Sequence, residues 1–136
     1  MNANLQYLLD TNIISELMRN PHGIIRDRIA TIGEEAICTS IIVSSELHFG
    51  VEKKGSKKLR SQLEAILSAI EIIPFKEPTD RQYAVLRSNL EKSGTLIGPN
   101  DMLIAAQAIT YGLTLVTANI REFKRVQGIA VENWLE

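Results

Sequence analysis

The chain has 136 residues, of which 45% are hydrophobic and 23% are charged, so we predict one globular domain over residues 1–136 with its own core. Its net charge of −1 excludes nucleic-acid binding through overall basicity. A single cysteine, Cys38, excludes an internal disulfide, and only two histidines accompany it, which excludes the usual zinc-ligand sets.

The first half of the chain alternates apolar runs with helical periodicity. An apolar run over residues 5–9 predicts a buried first strand. Thr11 or Asn12 can cap a helix that begins near Ile13 and ends before Pro21. The next predicted elements are a helix over residues 24–32, a strand over 36–40, a helix over 43–54, a helix over 59–70 and a strand over 71–74.

The second half continues the alternation. We predict a helix over residues 78–91, a glycine- and proline-containing loop over 94–99, a mostly apolar helix over 101–111, a strand over 113–116 and a last strand over 129–131. Because strands that alternate with helices need crossover connections, the fold class is α/β with a mainly parallel central sheet.

Four acidic residues fall where this fold would bring them to one edge of the sheet. Asp10 directly follows the first strand, and the other three lie in the first turns of predicted helices: Glu46, Asp101 and Glu122. Ligands of parallel sheets collect beyond the carboxyl ends of the strands. Carboxylates without Cys or His partners suit a hard cation such as Mg²⁺. We therefore predict metal-assisted phosphodiester hydrolysis, with Asp10 and Asp101 as metal ligands.

Each of these acids also has an ordinary structural explanation. Asp10 and Glu122 can be helix caps, and Glu46 can be a first-turn glutamate that the helix dipole favours. Asp101 is the sharpest case, because the helix that it opens is otherwise almost wholly apolar. We expect the dipole of that helix to help keep Asp101 ionised at neutral pH, as a metal ligand requires.

Neutral and basic side chains near the acids complete the predicted site. Neutral oxygens that can hold a ligand, a water or the backbone come from four supporting residues: Thr11, Asn12, Thr117 and Asn119. Lys53, Lys54 and Arg121 are the candidates for RNA phosphate contacts. The alternative for each of these cations is an ordinary solvated helix face.

Four segments carry a family resemblance: LLDTNIIS at residues 8–15, SSELHFGVEK at 44–53, GTLIGPNDMLIAAQA at 94–108 and LVTANIREFKRVQGIAVENW at 115–134. Their order and spacing resemble those of PIN-domain ribonucleases of the VapC type, the toxin halves of bacterial toxin–antitoxin pairs. The resemblance covers essentially the whole chain. It implies an α/β/α sandwich around a parallel sheet, usually in a homodimer.

The resemblance also implies RNA cleavage that depends on Mg²⁺ or Mn²⁺ and a VapB-type antitoxin whose tail covers the active site. Operator DNA is then reached only through the antitoxin. The acidic quartet of the family carries over onto Asp10, Glu46, Asp101 and Glu122. Many members have an aspartate where this chain has Asn119, so the fourth acidic role here rests on Glu122. The segments GTLIGPND and REFKRVQGIAVENW resemble the enterobacterial branch, which cuts initiator tRNA in the anticodon stem-loop, and this suggests a tRNA substrate.

Other functions remain open at this stage. A phosphotransferase of the haloacid-dehalogenase type needs a second acid two residues after the first, where this chain has Asn12. A response-regulator receiver domain needs paired acids after the first strand, and these are absent from the sequence. A non-enzymatic PIN-fold module and a nuclease for single-stranded DNA are the remaining alternatives. With no apolar run of about 18 residues and no visible signal peptide, we expect a cytoplasmic protein without a membrane partner.

Overall fold

Five short strands form one sheet at the centre of the computed structural model, which describes residues 2–136. The strands are β1 (Tyr7–Leu9), β2 (Ile37–Ser40), β3 (Glu71–Ile73), β4 (Thr114–Val116) and β5 (Ala130–Glu132). They lie in the order β3-β2-β1-β4-β5, and every neighbouring pair is parallel, which confirms the predicted sheet. Leu9 is in register with Thr39 and with Val116. The residues that follow these three therefore emerge at the same edge.

Helices flank this sheet and confirm the predicted α/β fold. They are α1 (Thr11–Arg19), α2 (Ile24–Ile32), α3 (Ile41–Lys54), α4 (Lys57–Ala69), α5 (Thr79–Lys92), α6 (Pro99–Thr110) and α7 (Ile120–Phe123). A single 3₁₀ turn, Glu34–Ala36, leads into β2. Gly55 ends α3 in the left-handed region at φ 63°, as its position in the sequence predicts.

Four helices begin two residues before their predicted starts: α1, α3, α4 and α6. Side-chain capping explains the starts of α1 and α3. α1 begins at Thr11 and is capped by Asp10, so the predicted cap at Thr11 or Asn12 is wrong. α3 begins at Ile41, because the hydroxyl of Ser40 accepts the amide of Ile42 at 2.9 Å and starts the helix two residues early. Glu46 consequently lies in the second turn of α3, and its predicted first-turn position is wrong.

The core lies on both faces of the sheet. Leu8, Leu9 and Leu115 on the central strands are fully buried. Ile104 and its alanine neighbours bury most of α6, as its nearly continuous apolar sequence predicts. Trp134 is also fully buried and packs against Tyr7 with 5.2 Å between ring centroids, which fastens the segment after β5 onto β1. Among residues 2–136, no helix is long and apolar enough to cross a membrane.

Candidate active site

Asp10 is held at the site by hydrogen bonds to its backbone and its side chain. Its backbone amide donates to the carbonyl of Val116 at 2.9 Å, and its side chain is only 3% exposed. One carboxylate oxygen accepts the Thr11 amide at 2.8 Å, and the other accepts Thr117 Oγ1 at 2.8 Å and Asn12 Nδ2 at 3.3 Å. Burial raises the pKa of Asp10, while these hydrogen bonds oppose the rise. The carboxylate is thus the cap of α1, as its alternative explanation predicts, and is also held rigidly at the sheet edge.

Glu46 approaches the same edge from α3. It is partly buried, and Thr11 Oγ1 donates a hydrogen bond of 2.8 Å to its Oε1. The Nδ2 atom of Asn100 approaches Oε2 at 3.5 Å. Thr11 therefore serves two carboxylates at once, with its amide on Asp10 and its hydroxyl on Glu46. The predicted supporting role of Thr11 agrees with these two hydrogen bonds.

Asp101 is the third residue of α6, and its surroundings disfavour the charged form of its carboxyl group. Its pKa is raised to about 6, first by burial and then by the charges of Asp10, Glu122 and Glu46. The dipole of α6 acts against this rise, and with a pKa of about 6 Asp101 is still mainly ionised at neutral pH. Convergence of the four acids on one metal-binding position stays a prediction. A Cβ on Gly98 would lie 3.2 Å from the Oδ2 atom of Asp101, so glycine leaves room beside that carboxylate.

Glu122 is exposed and lies in the four-residue helix α7. Its charge contributes to the raised pKa of Asp101, whereas Asn119 carries no charge to contribute. The Asn119 backbone amide donates to Thr117 Oγ1 at 3.0 Å. Within residues 2–136 the Asn119 side chain makes no hydrogen bond, so the structure brings this predicted supporting residue to the site through its backbone alone.

Thr117 and Asn12 connect the two ends of the chain at the site. Thr117 is fully buried, and its hydroxyl donates to Asp10 while it accepts the Asn119 amide. The Oδ1 atom of Asn12 accepts the amide of Ala118 at 2.9 Å. These contacts hold the turn after β4 against the start of α1, and they explain why neutral hydrogen-bonding side chains follow Asp10 in the sequence.

The predicted RNA contacts lie outside this cluster. Lys53 and Lys54 are exposed in the last turn of α3, and Arg121 is exposed beside Glu122. Lys53 follows Glu46 by seven residues, which places it on the same face of α3 about 10 Å further along the axis. Among the described residues, none of these three cations forms an ion pair with a carboxylate.

The acidic cluster has the donor chemistry of a hard-cation site but not its final geometry. All its charged donors are carboxylate oxygens, which Mg²⁺ and Mn²⁺ prefer. In the part of the chain that the structure describes, no three His, Cys, Asp or Glu side chains are close enough together to hold a metal ion. Carboxylates of like charge repel one another, so a cation would have to draw them closer. The carboxylates are therefore chemically suitable ligands for Mg²⁺ or Mn²⁺.

Sequence reasoning missed three polar residues around the acids. Asn100 contacts Glu46, and its only signal was a polar side chain directly before Asp101. Ser40 and Gln107 are fully buried and hydrogen-bonded to each other. The signal for Gln107 was a lone amide in an otherwise apolar helix, because a buried amide needs partners.

An apolar groove lies on a separate face, between α1, α2 and α4. It encloses about 540 Å³ and is lined mainly by aliphatic side chains: Leu9, Leu17, Ile29, Ala30, Ala65, Ile66, Ala69 and Ile70. Arg26 and Glu34 add charge at the groove. The apolar residues of α4 therefore lie in two environments: Leu63 is fully buried in the core, and Ile66 lines the groove.

A family model, several known proteins and several solved structures are similar to this chain. The PIN domain family model matches residues 7–129. The chain is 41% identical to "Ribonuclease VapC2" of Rickettsia felis over 94% of this chain and 97% of that protein. It is 33% identical to "tRNA(fMet)-specific endonuclease VapC" of Salmonella typhimurium over 96% of this chain and 98% of that protein. The structure of VapBC2 from Rickettsia felis, bound to a DNA fragment from its promoter, superposes with a TM-score of 0.87 at 38% identity, covering 96% of this chain and 99% of that one.

Proposed function

The chain belongs to the PIN-domain family, among its VapC ribonuclease toxins, and on this premise we propose that it is a metal-dependent endoribonuclease that cleaves a tRNA. The observation that supports this most is geometric: Thr11 donates its amide to Asp10 and its hydroxyl to Glu46, each at 2.8 Å, which connects acids from distant parts of the chain. The pKa of Asp101 agrees with this, because burial and then the charges of Asp10, Glu122 and Glu46 raise it to about 6. A binding module has no need of four carboxylates that repel one another. A nuclease needs them to attract a cation.

Asp10 and Asp101 would hold the Mg²⁺ ion, and Glu46 and Glu122 would bind it directly or through water. When bound, the cation lowers the pKa of a water molecule and neutralises charge on the phosphate. The residues of the chain supply the orientation: Thr117 and the Thr11 amide fix Asp10, and the Thr11 hydroxyl fixes Glu46. Mn²⁺ has the same oxygen preference and should replace Mg²⁺.

The products should carry 5′-phosphate and 3′-hydroxyl ends. A nuclease that uses the RNA 2′-hydroxyl needs an acid–base pair beside the scissile bond, commonly histidine. His22 and His48 are both exposed, and His48 follows Glu46 by two residues, which directs it away from the acid on α3. A hydrolytic water does not require the 2′-hydroxyl, so single-stranded DNA is a second substrate to test.

RNA would approach along the outer face of α3. Phe49 and Lys53 follow Glu46 by three and seven residues, so they share its face of the helix. Phe49 is 68% exposed and offers a ring for base stacking, and Lys53 offers a cation for phosphate. Lys54 and Arg121 extend the positive charge beside the acidic cluster. This arrangement supports the three cations as RNA contacts.

The partner would be a VapB-type antitoxin. Structures similar to this chain include VapBC complexes bound to DNA. The groove between α1, α2 and α4 is apolar, concave and large enough to receive aliphatic side chains of an antitoxin segment. Leu9 lines the groove and directly precedes Asp10 in the chain. Operator DNA would be contacted through the antitoxin, and the toxin would form a homodimer.

We propose initiator tRNA as the RNA substrate. A relative 33% identical to this chain bears the name of a tRNA(fMet)-specific endonuclease. Together with the resemblance of the GTLIGPND and REFKRVQGIAVENW segments to the enterobacterial branch, this favours the anticodon stem-loop of initiator tRNA. The unpaired bases of such a loop are accessible to stacking and hydrogen bonding, unlike those of a duplex.

The deciding experiment incubates the purified, antitoxin-free protein with total cellular RNA, in Mg²⁺ or in EDTA, and sequences the new 5′ ends. Discrete Mg²⁺-dependent cuts in one tRNA, lost in Asp10→Asn, are the expected result. Asp27→Asn, an exposed substitution on α2, is the matched control and should cut like the wild type. Folded, Mg²⁺-loaded protein that cuts neither RNA nor single-stranded DNA would favour the non-enzymatic module instead.

A further inference from the structure

Ser40 and Gln107 form a buried polar bridge beneath the acidic cluster. Both side chains are fully buried. The Ser40 hydroxyl donates to Gln107 Oε1 and accepts the amide of Ile42 at 2.9 Å. The Nε2 atom of Gln107 donates to the carbonyls of Ile73 and Pro74, each at 3.3 Å. Three of these hydrogen bonds join the start of α3, the last third of α6 and the end of β3, and the fourth caps α3.

The bridge lies at matching positions on the two helices that carry acids. Ser40 caps α3 six residues before Glu46, and Gln107 lies six residues after Asp101 on α6. Six residues of α-helix correspond to about 9 Å along the axis. Because a helix of this length is stiff, fixing α3 to α6 at the bridge also fixes how far apart the two carboxylates lie.

Apolar packing alone would not define this separation. The neighbours of Gln107 on α6 are Ala105, Ala106 and Ala108, whose small side chains pack without directional preference. Hydrogen bonds to an amide are directional, and inside a protein they are stronger than in water. The bridge therefore adds a directional, fully buried connection between α3 and α6, in addition to the longer and more exposed contact of Asn100 with Glu46.

We propose that Ser40 and Gln107 are positioning residues of the nuclease, which hold Glu46 and Asp101 at the separation that cation binding and cleavage require. The inference rests on the proposed function, because it assumes that these two acids act together. Neither residue touches the reacting atoms. Their effect on the chemistry passes through the two helices.

The test compares two serine caps. Ser40→Ala removes the cap of α3 together with the bond to Gln107. Ser56→Ala removes only the cap of α4, where the serine hydroxyl accepts the Leu59 amide at 3.2 Å. Loss of a cap should lower the melting temperature in both variants. If the bridge positions the acids, only Ser40→Ala should also lower kcat, about tenfold, with an unchanged KM for RNA.

A second readout needs no cleavage. The rise in melting temperature that Mn²⁺ produces in RNA-free protein should require about tenfold more Mn²⁺ in Ser40→Ala than in Ser56→Ala. Gln107→Met, which keeps the volume but removes the amide, should shift in the same direction. Equal kcat and equal Mn²⁺ response in the two serine variants would overturn the inference. If the wild type cleaves nothing, the proposed function fails, and the Mn²⁺ response alone still decides whether the bridge positions the acids.

Discussion

The raised pKa of Asp101 predicts that this acid opposes folding when it is ionised. The shift from the ordinary value of 3.8 to about 6 is roughly two pH units. At about 1.4 kcal/mol per unit the full shift would correspond to about 3 kcal/mol, but Asp101 is only half-buried, and screening by water reduces the destabilisation to about 1–2 kcal/mol. Asp101→Asn has nearly the same shape without the charge, so it should stabilise the metal-free protein by up to this amount.

The sign and the pH window follow from the same values. A carboxyl whose folded pKa lies above its unfolded pKa binds protons more tightly in the folded state, so its penalty is full above pH 6. The penalty shrinks as the pH falls from 6 towards 3.8 and vanishes below that range, where both states are protonated. Asp101→Asn should therefore melt about 5 °C above the wild type at pH 8 and close to the wild type at pH 4.

The assay is thermal unfolding in EDTA at these two pH values, with Asp80→Asn as the control. Asp80 also lies in the first turn of a helix, α5, but it is exposed. Its substitution should lower stability slightly, because an acid near a helix N-terminus is favourable by about 0.3–1 kcal/mol. A variant Asp101→Asn that is no more stable than the wild type at pH 8 would refute the electrostatic description of the cluster.

Three further outcomes test other parts of the molecule. The Mg²⁺ concentration needed for half-maximal cleavage should rise up to about tenfold per pH unit below pH 6, because a proton on Asp101 competes with the cation; a Mg²⁺ requirement that is constant down to pH 5 would contradict this. Replacing Lys53, Lys54 or Arg121 by Gln should reduce the slope of log RNA affinity against log salt concentration by about one phosphate contact each. An unchanged slope would mean that the side chain is only solvated and does not contact RNA. The buried Thr79 hydroxyl has no hydrogen-bond partner within residues 2–136, so Thr79→Val should raise the free energy of unfolding by about 1 kcal/mol. If chemical denaturation instead gives a lower free energy of unfolding for Thr79→Val, the hydroxyl has a partner.

The fold could be predicted from the sequence because its signals are local. Each strand is an apolar run, each helix has its own periodicity, and parallel order follows from their alternation. The errors at the starts of α1 and α3 have one cause: Asp10 and Ser40 are both strand-end residues and helix caps, and the sequence does not show that one residue does both. The sequence offered Asp10 as a possible cap, yet periodicity placed the start of α1 near Ile13.

The site could be predicted only in part, because its contacts join distant segments. Convergence of the acids follows from topology, since residues after parallel strands share an edge. The bond from Ser40 to Gln107 spans 67 positions and depends on how α6 rotates above the sheet, which no local pattern encodes. The same holds for Asn100 and Glu46. The apolar groove was equally hidden, because Ile66 belongs to the same stripe as the buried Leu63.

The neutral residues next to Asp10 are as much a part of the site as the acids. Asp10 is almost fully buried and lies near the charge of Glu46, and both conditions favour its protonated form. Three donors oppose them: the Thr11 amide and the side chains of Thr117 and Asn12. Asp101 accepts no such set of bonds, and its pKa rises to about 6. Burial raises the pKa of both aspartates, but only at Asp10 do hydrogen-bond donors oppose the rise. A threonine and an asparagine after the strand-end aspartate, and a threonine directly after β4, therefore favour the charged form of Asp10 at the buried end of the cluster.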